Sequence, residues 1–232
     1  MLRFELTFKS LMLVRLRKRP FKTFFPCLIV TSSVLLSSHI AFAQRVLMNP
    51  SDNTMCLLYY HIANQTPPFN QFAQTAPSVV NANEFDQPKA LSDEVSQLTA
   101  LYNSLAGVTV IKININMSMG TYDSQFGEYD LTGFAGNEYI NYNCFDNTAT
   151  LQLQFDNSDY AESWTLNPSQ AQDALNRNGG SRDIVAVSTI SLTGINPGAP
   201  GDPLVLVGDV KEVKVIGAYN EAPLGGYVVK SQ

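Results

Sequence analysis

The chain contains few of the residues on which enzymes and metal sites most often depend. Its 232 residues include two histidines, three cysteines and one tryptophan. His61 is the histidine outside the N-terminal apolar run, and it lies in a predicted amphipathic helix without a Ser or Cys nucleophile motif nearby, so we interpret it as structural. The glycine loops of nucleotide-binding sites and the paired Cys/His spacing of zinc sites are missing. The sequence therefore predicts no cofactor and no metal.

Residues 1–43 differ chemically from everything that follows. They carry seven basic residues against one acidic residue, then an apolar run from Phe24 to Phe42 that ends in Ala41-Phe42-Ala43. These are the three parts of a secretory signal peptide, which predicts cleavage before Gln44. A membrane anchor is the alternative, but a proline and several serines, among them Ser32, Ser33 and Ser37, interrupt the run, so we expect no permanent membrane span. Translation could start at Met1 or at Met12, which begins a more ordinary basic region.

Basic residues are scarce after the predicted cleavage site. Residues 44–232 hold 19 acidic and 8 basic residues. Such a surface repels phosphate backbones, so nucleic acid is excluded as a partner. The length fits a single exported domain, in the periplasm or outside the cell, that can close a core without metals.

Two cysteines, Cys56 and Cys144, remain after cleavage. Export favours oxidation, and an even pair favours a disulfide. Two separate buried thiols are the alternative.

Hydrophobic periodicity predicts an α+β fold. From Ile111 to Met119 apolar and polar residues alternate strictly, which indicates a strand with one buried face. We expect an antiparallel sheet of about five to seven strands packed against one main helix over 88–106, with Asp86 as its N-cap. A shorter helix is expected over 52–63, with Ser51 or Asp52 as its N-cap.

The other segments follow from the same signals. Strands are expected over 149–155, 163–166, 183–193 and 204–216, and a short helix from Pro168 to about Asn176. The proline-rich stretch 64–78 is expected to be a loop, and 218–232 a flexible tail or an edge strand.

Two short blocks carry a resemblance. Asn83-Glu84-Phe85-Asp86 precedes the main helix, and Gly127-Glu128-Tyr129-Asp130 with Gly133-Phe134 precedes a Leu-x-Leu-x-Phe strand. In this order they resemble an uncharacterised family of exported bacterial proteins that carry a domain of unknown function. The resemblance would cover about residues 50 to 218, and it implies one α+β domain and export but no catalytic role.

Candidate site residues fall into two groups. Glu84, Glu128 and Asp130 could form a catalytic carboxylate pair, or bind Ca²⁺ together with Asp86. Each also has a structural interpretation, as helix-cap or strand-face residues. Phe69, Phe72, Tyr122 and Tyr139 are the candidate binding aromatics, because such rings supply much contact area in binding surfaces.

These observations favour a non-enzymatic binding or interaction module of the cell envelope. Its partner would be an envelope protein or a small ligand. The alternatives are an envelope hydrolase that uses the paired carboxylates and a secreted factor directed at a host.

Overall fold

A computed structural model describes residues 45–135, 139–197 and 202–230 of the chain. The predicted signal peptide lies outside these residues. The helices within them are α1 (Asp52–Ile62), α2 (Phe69–Gln74), α3 (Pro77–Val80), α4 (Gln87–Ser104), α5 (Ser158–Ala161) and α6 (Pro168–Arg177), with a 3-10 turn at Thr132–Phe134. The strands are β1 (Arg45–Met48), β2 (Val108–Ser118), β3 (Glu128–Asp130), β4 (Tyr139–Cys144), β5 (Ala149–Phe155), β6 (Ser163–Thr165), β7 (Asp183–Asn196), β8 (Leu204–Gly217) and β9 (Pro223–Val228).

The main sheet has the strand order β1-β2-β7-β8-β5-β4, and β9 also pairs with β8. These seven described strands form a mixed sheet, because β1 is parallel to β2 and β5 is parallel to β8. The expectation of an antiparallel sheet was therefore wrong. The length of β8 allows this arrangement: on the edge away from β7, its residues 204–208 pair with β5 and residues 212–216 pair with β9.

Strand β2 follows its predicted alternation. The odd-numbered side chains from Ile111 to Met119 are buried, whereas Asn114 and Asn116 are exposed. β2 pairs with β7 through nine consecutive residues, so one face of the strand joins the core and the other meets solvent.

The helical layer differs from the prediction of one main helix on the sheet. Five consecutive residues of α1, Met55 to Tyr59, are buried, and α1 packs against β4, β7 and β8. The longer helix α4 packs mainly on α1, α2 and α3, and Leu98 is its buried residue. Because α1 is apolar around most of its circumference, it can fill the space between the sheet and the outer helices.

The proline-rich stretch 64–78 was expected to be a loop, but it forms α2 and the start of α3. Pro68 is the residue before α2, and Pro77 opens α3. Proline at the first position of a helix leaves no hydrogen bond unmade, since the first N–H groups of a helix have no partner within it. The prolines therefore start these helices rather than prevent them.

The two predicted helix caps had different outcomes. The Ser51 side chain accepts a hydrogen bond from the Thr54 N–H, which confirms the cap of α1. Asp86 makes no side-chain cap bond to α4, so that prediction was wrong. Asn83 acts instead: its Oδ1 accepts the N–H groups of Phe85 and Asp86 at 3.0 and 3.1 Å, in a turn that precedes the helix.

A disulfide ties α1 to β4. It joins Cys56 to Cys144, with Cα atoms 6.0 Å apart and 88 positions of sequence separation. The Cα separation lies in the usual range for disulfides. Both residues are fully buried, so the bridge is part of the core.

The segment 218–232 was expected to be a flexible tail or an edge strand. Its residues Pro223–Val228 form the edge strand β9. Leu224 and Val229 are buried, and the backbone at Gly225 passes directly over the ring of Trp164. A Cβ at position 225 would lie 2.9 Å from Trp164 Cζ2, and φ there is +153°. Glycine is therefore what allows β9 to approach this ring.

Candidate functional site

The predicted carboxylates Glu128 and Asp130 lie in a small two-stranded sheet. Strand β3 pairs antiparallel with β6, so that Glu128 is opposite Thr165 and Asp130 is opposite Ser163. The middle residues, Tyr129 and Trp164, are buried, at 2 % and 1 % exposure. Because side chains alternate along a strand, Glu128, Asp130, Ser163 and Thr165 share the opposite, outer face.

The structure keeps the third predicted carboxylate apart from these two. Glu84 is exposed in the turn before α4, a segment that packs with the helical layer. On the small sheet, the Ser163 hydroxyl donates a hydrogen bond to Glu128 Oε2, and Asp130 is exposed. Within the described ranges, no group of three or more His, Cys, Asp and Glu side chains is placed to hold a metal ion.

A cleft of about 550 Å³ opens beside Ser163, between β6, α5 and the end of β9. Its lining is mixed in character and contains hydroxyls, aromatic rings and one charge of each sign. The lining residues are Asp159, Tyr160, Ser163, Thr165, Tyr227, Val228 and Lys230. We call this space the β6–β9 cleft. Glu128 reaches it through its hydrogen bond to Ser163.

The two tyrosines of the β6–β9 cleft play different parts. Tyr227 donates its hydroxyl hydrogen to the carbonyl of Ala161, which fixes the ring against α5. Burial raises the pKa of Tyr227 above the usual value for tyrosine, so this hydroxyl stays protonated at neutral pH. Tyr160 is 45 % exposed. The cleft thus combines one fixed ring with one ring that is open to solvent.

The predicted binding aromatics Phe69 and Phe72 face inward. Phe72 is 2 % exposed, and its ring stacks on that of Phe145 with centroids 3.9 Å apart. Phe69 is half-buried and meets the ring of Tyr102 edge to face at 5.8 Å. Both rings therefore hold α2 to its neighbours, and the buried Phe72 offers no free surface to a ligand.

The other two predicted aromatics lie elsewhere. Tyr122 donates a hydrogen bond to the carbonyl of Leu166 at 2.8 Å and packs against Tyr129, which supports the small sheet from one side. Tyr139 is 46 % exposed at the start of the edge strand β4. The four rings do not form one surface, since they belong to different layers of the fold.

His61 lies in α1 with its ring against Tyr102, at a centroid separation of 5.3 Å. Cys56, one and a half turns earlier in the same helix, is bonded to Cys144 and is not available as a nucleophile. This geometry supports the structural interpretation of the histidine.

Sequence reasoning missed most of the cleft. Asp159, Tyr160, Tyr227 and Lys230 come from short elements far apart in the chain, and only pairing brings them together. One local signal was present, since the alternation Ser163-Trp164-Thr165 places two hydroxyls on the face opposite a buried tryptophan.

Comparisons with known proteins add no relative. No protein-family model, no curated protein and no solved structure matches this chain. The resemblance to an exported bacterial family thus remains a prediction. No helix in the described part of the chain is long and apolar enough to cross a membrane.

Proposed function

We propose that this protein is an exported, non-enzymatic binding module that takes a small hydroxylated ligand, of the saccharide class, in the β6–β9 cleft. One observation carries the proposal: two tyrosine rings, two hydroxyls, a carboxylate and an ammonium group line a single open cleft. Sugars present both apolar ring faces and many hydroxyls, and a lining of this kind can meet both.

The charge of the cleft supports a neutral ligand. Asp159 and Lys230 supply one negative and one positive group. A carboxylate accepts hydrogen bonds and an ammonium group donates them, so the pair can hold hydroxyls without requiring a charged ligand. The acidic excess of residues 44–232 argues against polyanions.

The environment of the candidate acids favours binding over catalysis. Glu128 already accepts a hydrogen bond from Ser163, which occupies one of its oxygens. The general acid of a glycosidase lies in an apolar pocket, whereas Asp130 is exposed to water.

An envelope hydrolase is the second candidate. Glu128 and Asp130 are two positions apart on one face of β3, so their Cα atoms lie roughly 6.6 Å apart along the strand. Side chains on Cα atoms at this spacing can bring their carboxyl groups to the roughly 5 to 9.5 Å that separates the carboxyl groups of a glycosidase pair. This spacing is the observation that supports a hydrolase as the second candidate function.

Binding can be tested by calorimetric titration with soluble glucose oligomers and N-acetylglucosamine oligomers. We expect Tyr160→Ala and Asp159→Asn each to weaken binding of the preferred saccharide at least 10-fold, because both side chains line the cleft. Phe85→Ala is the matched control: it removes an aromatic ring that is 86 % exposed and lies outside the cleft, so it should bind normally.

The same samples distinguish the two candidates. Incubation with a bound oligomer, followed by mass spectrometry of the sugar, should show no cleavage. If the wild-type protein cleaves the oligomer and the Glu128→Gln variant does not, the result would support the hydrolase and contradict the non-enzymatic binding module. Absence of binding to every oligomer would contradict the saccharide assignment.

Export has a separate test. The protein recovered from a bacterial envelope or culture fluid should have the mass of a chain that begins at Gln44. A mature chain that retains residues 1–43 would instead support a membrane anchor.

A further inference from the structure

A second cleft, of about 430 Å³, lies between β2, the second strand in the order of the main sheet, and β4, the last. Its lining comes from β2, from β4 and from the turn after β1, namely Asn49, Pro50, Ile113, Asn114, Ile115, Asn116, Ile140 and Tyr142. Three strands separate β2 from β4 in the sheet. The sheet therefore curls until two of its strands border the same space. We call this space the β2–β4 cleft.

The backbone of β2 turns hydrogen-bonding groups toward this cleft. The Lys112 carbonyl accepts the Asn49 N–H at 2.7 Å, and the Asn114 N–H donates to Asn49 Oδ1 at 3.0 Å, both on the side away from β7. The backbone N–H and C=O groups of successive residues point to opposite sides of a strand, so those of every second residue share one side. The same side therefore carries the Asn114 C=O and both the N–H and the C=O of Asn116. None of these three groups has a hydrogen-bond partner among the described residues.

The edge of β4 is open in the same manner. The Asn143 N–H donates to Asp52 Oδ2 at 2.9 Å, on the side away from β5. The N–H and C=O of Asn141 therefore also point away from β5, and the described part of the chain provides no partner for them. Two unpaired strand edges thus border one cleft.

The chain itself shows what fits along β2. Strand β1 pairs with this same edge over residues 45–48 and then leaves it at Asn49, where φ is +41° and the chain turns into α1. The Asn49 side chain makes one more strand-like bond, to Asn114, and no strand continues along the edge within the described residues. The cleft begins where β1 ends.

The floor of the cleft is apolar and its lining is uncharged. Ile113, Ile115 and Tyr142 are each less than 10 % exposed, and Ile140 is half-buried. Asparagine amides stand at the rim. An occupant must therefore offer apolar side chains to the floor and backbone-like donors and acceptors to both edges.

We infer that an extended segment of a partner protein binds in the β2–β4 cleft as an added strand, parallel to β2 and antiparallel to β4, in continuation of β1. Addition of a peptide strand to an open sheet edge is a known mode of recognition, in which backbone bonds supply affinity and pockets select alternate side chains. The cleft follows four residues of β2, so about four residues of the segment would pair. Those that face the floor would be apolar, because the floor is formed by isoleucine and tyrosine side chains.

A phage library of random linear heptapeptides, selected on the purified protein, tests this inference. The key variant is Asn116→Pro. Residue 116 turns its N–H away from β7, so proline removes the donor to the cleft without removing a β2–β7 bond. Selected synthetic peptides should bind Asn116→Pro at least 10-fold more weakly than wild type. Asn116→Ala is the comparison variant, because it keeps the backbone donor and removes only the side chain at the rim. It should bind the peptides more tightly than Asn116→Pro, and equal weakening by the two variants would assign the effect to the side chain and overturn the inference.

Asn141→Pro, on the opposite edge, repeats the test if Asn116→Pro does not fold. Hydrogen exchange adds a readout of position: a bound peptide should slow exchange at the Asn116 and Asn141 amides by at least 10-fold.

Other results would also overturn the inference. They are a library without enriched peptides, a peptide that binds both proline variants normally, and protection of amides outside the cleft. If a higher protein concentration slows exchange at the same two amides without any peptide, the cleft binds a second copy of this chain, and the inference of a partner protein is overturned.

Discussion

Aromatic rings serve different purposes on the helical side of the molecule and beside the small sheet. On the helical side, Phe72 stacks on Phe145 and Phe69 packs against Tyr102, and the disulfide crosses the same layer. Beside the small sheet, Trp164 is buried as a support, while Tyr160 stays open to solvent in a cleft with polar walls. A ring near a proline-rich segment is thus a poor guide to a binding surface when that segment folds into helices.

The largest expected effect concerns the disulfide. Its removal in Cys56→Ala/Cys144→Ala should lower the free energy of unfolding by roughly 4 to 5 kcal/mol, because the chain-entropy model assigns this much to a loop of 88 residues. Urea denaturation of the variant and of the wild-type protein measures the difference. Saccharide binding by whatever variant remains folded should be unchanged, since the bridge lies on the helical side.

Alkylation gives an independent check on the same bond. Without prior reduction, the protein that begins at Gln44 should gain no mass. A gain of two alkyl groups would show free thiols and contradict the bridge.

The contrast between the two regions can be measured with one pair of variants. Phe72→Ala should cost about 3 to 4 kcal/mol of stability, because it empties a buried site. Tyr160→Ala should cost no more than about 0.5 kcal/mol, because the ring is 45 % exposed. Chemical denaturation of both proteins tests the difference, and equal losses would break the comparison.

Alkaline pH should destabilise the fold through Tyr142 in β4. Burial, followed by the negative charge of Asp52, raises the pKa of Tyr142 to about 12. The unfolded chain loses this proton near pH 10, so the folded state binds more protons between about pH 10 and 12 and stability falls there as pH rises. The expected loss from this group is about 2 to 3 kcal/mol.

Tyr142→Phe should remove this part of the alkaline loss while changing little at pH 7. Denaturation at pH 8, 10 and 11.5 provides the measurement. Tyr227→Phe, on the side of the β6–β9 cleft, is the parallel variant, because burial raises the pKa of Tyr227 too. An identical alkaline profile for wild type and Tyr142→Phe would contradict the prediction.

The smallest effect compares Asn83 and Asp86, two polar side chains of the turn before α4. Asn83→Ala should lower stability by about 1 kcal/mol, since its side chain satisfies two backbone N–H groups. Asp86→Ala should cost no more than about 0.5 kcal/mol, because Asp86 makes no cap bond to the helix. Thermal unfolding of the two variants ranks them, and the reverse order would restore Asp86 as the cap.

Local chemistry explains which elements could be predicted. The alternation in β2 and the Ser51 cap of α1 depend on residues within one turn or one pleat of each other, and both predictions were confirmed. Helices α2 and α3 were missed because prolines were interpreted as breakers, although they occupy helix starts. The position of α4 was missed because periodicity identifies an apolar face but not the surface that it meets.

The sequence by itself determined the two-faced character of β2 and the Ser51 cap of α1, because these depend on neighbouring residues. Tertiary structure decided the parallel pairings of β1 and β5, the position of α1 between the sheet and α4, and both clefts. The reason is physical. Strands pair through backbone groups that are the same in nearly every residue. The amino-acid composition of a strand therefore does not predict which strand it pairs with. The lining of each cleft joins residues that only this pairing brings together.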